Sequence, residues 1–78
     1  MPKIIVYTKV PCPYCINAKN LLKELGHTFE EIDLTNNFEK MDEIKNETGW
    51  RTFPIILIDD QLIGGYTDLK AYVEQGKL

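Results

Sequence analysis

The chain has 78 residues, 44% hydrophobic and 27% charged, which suits one small globular domain and excludes a disordered or fibrous sequence. Its net charge of −3 arises from 9 basic and 12 acidic residues, scattered without the Lys/Arg stripe of a nucleic-acid surface. Ile55–Ile58, its longest purely apolar run, is far too short for a membrane span; MPKIIVYT lacks signal-peptide features, so a cytoplasmic location is expected.

In chain order, Ile4, Ile5, Val6 and Tyr7 make a β-rich run, expected as a strand buried on both faces. Pro11 and Pro13 break it. From Tyr14 on, the apolar positions Tyr14, Ala18, Leu21, Leu22 and Leu25 recur at steps of three and four and so share a helix face, with Lys19, Lys23 and Glu24 on the wet side. Gly26 stands where helices commonly end. Thr28–Leu34 is expected as a second strand, although Phe29, Ile32 and Leu34 do not alternate. Asn36 with Glu39 has the form of a capping box, and Phe38, Met41 and Ile44 predict a short amphipathic helix ended by Gly49. Pro54 precedes a third strand, Ile55–Ile58. Asp59-Asp60 turns the chain into a fourth, Gln61–Ile63, closed by Gly64-Gly65. Thr67 is expected to cap a last helix whose inner face is Leu69, Tyr72 and Val73. The order β-α-β-α-β-β-α predicts an α/β fold, one domain over residues 1–78, with a right-handed parallel crossover first and an antiparallel hairpin later.

Residues 8–22, TKVPCPYCINAKNLL, hold both cysteines of the chain. A structural disulfide between Cys12 and Cys15 closes too short a loop to constrain the unfolded chain much, and a reducing cytosol disfavours it. A zinc site needs four ligands, and the only histidine, His27, lies at the far end of the predicted helix, roughly 15 Å away. No metal is expected. Redox chemistry uses the whole stretch instead. Cys12 lies where a strand gives way to a helix, so unpaired N–H groups and the helix dipole can stabilise its thiolate. A thiol with pKa ~8.5 is only about 3% ionised at pH 7, and one lowered by about three units is almost fully ionised. Lys9 can add positive charge or simply be solvated. Pro13 presets the first helical φ where no donor is needed. Cys15, one turn further in, is placed to resolve a mixed disulfide formed by Cys12.

With Cys12-Pro13-Tyr14-Cys15 in place, the chain resembles the dithiol glutaredoxins, whose signature is C-P-Y-C. The family's T-V-P block appears as Thr52-Phe53-Pro54, and its G-G-x-[DST]-D block as Gly64-Gly65-Tyr66-Thr67-Asp68. The resemblance implies a thioredoxin-like fold with a four-stranded mixed sheet flanked by three helices, a cis peptide bond before Pro54, and a glutathione groove beside Cys12. In that groove the Phe53 backbone would pair with the tripeptide. The N–H groups of Thr67 and Asp68 would take the γ-glutamyl carboxylate, and the Asp68 side chain would meet the ammonium group. Lys9 would hold the glycyl carboxylate and Tyr14 would flank the groove. Phe53 departs from the usual Val. Arg51 stands where the family often has another polar residue, and either grips a carboxylate or faces solvent. Trp50 reads as a partly buried aromatic closing the second helix.

The function implied is glutathione-dependent reduction of protein disulfides and glutathione mixed disulfides, with glutathione as co-substrate and no tightly bound cofactor. The partners expected are glutathione and disulfide-containing or glutathionylated proteins, with ribonucleotide reductase among the candidates, acting on a monomer and with neither nucleic acid nor membrane. One alternative is a redoxin recharged by thioredoxin reductase; such proteins usually carry C-x-Q-C and W-S-G-F-R-P, absent here. A second is a glutathione-dependent [2Fe–2S] carrier, whose familiar relatives carry a monothiol C-G-F-S motif, whereas Pro13 and Tyr14 stiffen and crowd the site.

Overall fold

The computed structural model describes residues 2–78. The elements follow in the expected order: β1 (Ile4–Thr8), α1 (Pro13–Glu24), β2 (Glu30–Asp33), α2 (Phe38–Thr48), β3 (Ile55–Ile58), β4 (Gln61–Gly64) and α3 (Tyr66–Glu74). They build one four-stranded sheet in the order β2-β1-β3-β4. β1 runs parallel to β2, with Val6 opposite Glu31, and antiparallel to β3, which pairs antiparallel with β4.

Alternation along the central strands sorts side chains to two faces. Ile4, Val6, Ile56 and Ile58 pack with Ala18 and Leu22 of α1 and Leu69 of α3. On the other face, Tyr7 and Ile55 pack with Met41 and Ile44 of α2, and with Leu34, Phe53 and Cys15. The central strand β1 is thus buried on both faces, as its unbroken apolar run predicts. The second cluster extends to the site: Cys15 and Phe53 belong to it, and Cys12 and Trp50 pack against it.

Several local expectations need correction. The buried stripe of α1 runs through Cys15, Ala18 and Leu22, so Tyr14 at 60% exposure and Leu25 at 42% lie on its edge and not in the core. β2 is shorter than Thr28–Leu34, but Leu34 is buried just beyond it and donates its N–H to Thr8 O at 2.8 Å. Asn37, not Asn36, caps α2, its side chain accepting from the Lys40 N–H at 3.1 Å. Phe38 is 71% exposed. A period of three drifts by about 60° per step around an α-helix, which carries Phe38 away from the face that buries Met41 and Ile44. Gly65, not Thr67, is the N-cap of α3. Its carbonyl accepts from Leu69 N at 3.0 Å and its own N–H is taken by the Asp68 side chain, so the helix starts before Thr67 is reached.

Candidate active site

Cys12 is the N-cap of α1: its backbone is extended (φ −155°, ψ 92°) and its Sγ accepts a hydrogen bond from the Cys15 N–H at 3.1 Å. Pro13 occupies the first helical position, where its missing N–H costs nothing. No acidic residue in that first turn offsets the helix's positive end. The two cysteines are joined in a disulfide across three positions, their Cα atoms 5.3 Å apart. They are not equivalent. Cys15 is buried at 2% exposure, whereas Cys12 is half-buried, so the outer sulfur is the one a partner can reach.

The loop that carries Cys12 is tied to the end of β2. The Val10 N–H donates to Thr35 Oγ1 at 2.9 Å, and the Thr35 hydroxyl donates in turn to the Asp33 carboxylate, which also accepts the Thr35 N–H at 2.8 Å. Those two bonds, the hydroxyl's first, together with the nearby charge of Lys19, hold the Asp33 carboxyl below its ordinary pKa. Further along the helix, Lys19 Nζ and the Thr8 hydroxyl both donate to Glu31 Oε2 at 3.0 Å, joining α1, β1 and β2.

An open groove of about 420 Å³, lined by Tyr14 from between the two cysteines, runs between Phe53-Pro54 and the start of α3. Tyr14 stacks on Tyr66 at its mouth, with ring centroids 6.3 Å apart. Thr67 and Asp68 fall in the first turn of α3, where backbone N–H groups have no carbonyl within the helix to pair with. The Asp68 carboxylate is fixed there by the Gly65 N–H at 3.1 Å. Gly64 leaves it room: at φ +121°, a Cβ on residue 64 would stand 2.7 Å from Asp68 Oδ2. The Phe53–Pro54 peptide is cis, as expected, and so is Val10–Pro11, which was not foreseen. A separate, smaller cavity of about 270 Å³ includes Cys12, Cys15, Val10, Ile16 and Lys9 in its walls.

Tyr14, Phe53, Pro54, Thr67 and Asp68 therefore come together in one groove. Lys9 lines the other cavity, and its Nζ lies 5.6 Å from the centroid of the Phe53 ring that walls the groove. Arg51 is exposed and lines neither. Trp50 is half-buried as expected, and also walls the groove; its Nε1–H is buried next to Gly65 without a partner among the described residues. Sequence reasoning missed two residues. Tyr66 stands at the variable position of its block, which marks no role for it in the sequence. Lys45 of α2, whose Nζ is 5.7 Å from the Phe53 centroid, carries no local signal, because only the packing of α2 brings it there.

A mixed sheet with a dithiol capping the helix after β1 defines a thiol–disulfide oxidoreductase of the thioredoxin-like fold. The glutaredoxin family model matches residues 4–63, and the chain belongs to the glutaredoxin family. It is 42% identical to glutaredoxin 3 of Escherichia coli K12 over 78 residues, covering all of this chain and 94% of that one. To a glutaredoxin of Pseudomonas aeruginosa it is 41% identical, covering all of this chain and 93% of the other. Among solved structures it resembles a buckwheat glutaredoxin–glutathione complex with a TM-score of 0.91, at 29% identity over 99% of this chain and 73% of that one. The solution structure of glutaredoxin from Brucella melitensis matches with a TM-score of 0.82, at 41% identity over 96% and 82% of the two chains. The protein is accordingly an enzyme that carries out glutathione-dependent thiol–disulfide exchange through Cys12 and Cys15.

Proposed function

We propose that Cys12 is the attacking sulfur, that Cys15 is the resolving one, and that the groove between Phe53-Pro54 and α3 holds glutathione. The observation that carries this reading is the asymmetry of the pair: Cys12 Sγ accepts a helix N–H and is reachable, while Cys15 is buried. With a glutathione mixed disulfide, the Cys12 thiolate attacks the glutathione sulfur. The Cys12–glutathione disulfide forms and the other thiol leaves as a thiolate. A second glutathione thiolate then attacks the glutathione sulfur, giving oxidised glutathione and freeing Cys12. With a protein disulfide, Cys12 forms a mixed disulfide with the protein, and the Cys15 thiolate attacks the Cys12 sulfur. This releases the protein dithiol and closes the Cys12–Cys15 disulfide, which two glutathione molecules reopen.

In the groove, the free N–H groups of Thr67 and Asp68 and the Asp68 carboxylate would bind the γ-glutamyl end. The Phe53 backbone would pair with the peptide, Tyr14 would flank it, Pro54 would form the floor and Lys9 would meet the glycyl carboxylate. Arg51 stands outside the groove and is left as a solvent-facing residue. The enzyme would act as a monomer in a reducing compartment such as the cytoplasm, on glutathionylated and disulfide-bonded proteins, with ribonucleotide reductase among the candidates. Glutaredoxin potentials of roughly −200 to −230 mV let glutathione keep such a dithiol reduced.

Comparing Cys12→Ser and Cys15→Ser tests the division of labour. Cys12→Ser abolishes both reactions. Cys15→Ser retains reduction of a small glutathione mixed disulfide and loses reduction of a protein disulfide. Equal loss of both activities in Cys15→Ser contradicts the assignment.

A further inference from the structure

The cavity of about 270 Å³ has both cysteines in its walls, whereas the larger groove has neither. Val10, Pro11, Pro13 and Ile16 make much of the rest. Val10 and Ile16 are 68% and 56% exposed, yet both front the cavity that holds Cys12. Tyr14 apart, the other exposed large apolar side chains among the described residues sit singly: Leu25 after α1, Phe38 on α2 and Leu62 on β4. Single apolar side chains in water are ordinary, but a group of them beside a reactive atom marks a contact surface. The charges in the cavity wall already have partners. Lys19 and Glu31 pair at 3.0 Å, the Thr8 hydroxyl donates to the same carboxylate, and Lys9 holds its ammonium over the Phe53 ring. The apolar wall is also held in place, because the Val10 N–H is bound to Thr35. Such a cavity suits an apolar side chain better than an ionic ligand.

The chemistry at Cys12 says whose side chain reaches it. When the Cys12 thiolate attacks one sulfur of a protein disulfide, the other sulfur leaves as a thiolate and the partner is bonded to Cys12. The residues flanking the partner's cysteine are then tethered beside the cavity until the Cys15 thiolate attacks the Cys12 sulfur and releases that cysteine as a thiolate. With a glutathione mixed disulfide the leaving chain is never bonded to Cys12. We propose that the cavity walled by Val10 and Ile16 is the docking subsite for a disulfide-bonded protein, taking an apolar side chain adjacent to the cysteine under attack. This rests on the reading of Cys12 as the attacking sulfur and adds to it a preference among protein partners.

The test measures kcat/KM for two short peptides, each dimerised through its single cysteine and differing only in a leucine or an asparagine beside it. A mixed disulfide of glutathione with a small thiol is run alongside. Wild type prefers the leucine peptide. Ile16→Gln lowers the leucine-to-asparagine ratio about three- to tenfold, the effect of losing contact with part of one apolar side chain. Val10→Thr, nearly the same shape, moves the ratio in the same direction, and Ile16→Leu keeps most of it. A wild-type ratio of one overturns the proposal. So does a ratio that stays at the wild-type value in both Ile16→Gln and Val10→Thr, even where those variants slow all three substrates alike. If wild type fails to reduce the glutathione mixed disulfide, the reading of Cys12 falls, and the subsite falls with it.

Discussion

Sulfur is a poor hydrogen-bond acceptor when it carries a proton, so a cysteine in the N-cap position stabilises its helix best as an anion. That one contact, Cys15 N–H to Cys12 Sγ, couples the reactivity of the site to the start of α1. It holds only if the preceding loop is held too, and the chain from Val10 N–H to Thr35 to Asp33 does that. Because the native carboxyl of Asp33 is pulled below its ordinary pKa, its stabilising contribution is complete above the ordinary carboxylate range. It is lost as pH falls through the depressed native value. The stability difference between wild type and Asp33→Asn, followed by urea unfolding, should therefore narrow on acidification from neutral pH. A difference that does not change with pH would disconnect Asp33 from this role.

The N-terminus of α3 shows how an element, and not a single side chain, shapes the wall of the groove. Asp68 reaches back to the Gly65 N–H, and Gly64 gives its carboxylate space. Gly64→Ala would meet both a left-handed φ and a carboxylate 2.7 Å away. It should cost at least about 1 kcal/mol of stability and raise KM for a glutathione mixed disulfide, as measured by urea unfolding and steady-state kinetics. Unchanged values for both would show that the backbone here is not constrained. The double glycine and the Thr67-Asp68 pair were legible in the sequence as a block; where the helix begins was not. Thr67 looked like the cap because side-chain oxygens usually cap, yet the acid at the third helical position serves Gly65 instead. Asn37 displaced Asn36 for a similar reason, since two adjacent Asn residues offer the same chemistry and only backbone geometry chooses between them. Lys45 was invisible for a different reason: its partner ring is distant in sequence, and no local pattern reports where two elements cross.

At the scale of the whole molecule, the sheet separates two apolar clusters, and the dithiol stands at the carboxyl end of the central strand β1, where a crossover leaves for α1. That placement was readable from a strand, a break and an amphipathic run in succession. The groove was not readable without the family resemblance, because it joins the turn before β3 to the start of α3 and both to Tyr14. The fold thus brings a helix end and a buried partner thiol to one sulfur, with an open groove beyond Tyr14. All three matter only if Cys12 ionises readily. The direct measurement is the pH dependence of the alkylation rate of the reduced protein, with Cys15→Ser isolating the Cys12 signal. The midpoint is predicted to lie at least about one pH unit below the ~8.5 of a free cysteine. A midpoint at the free-cysteine value would contradict the account.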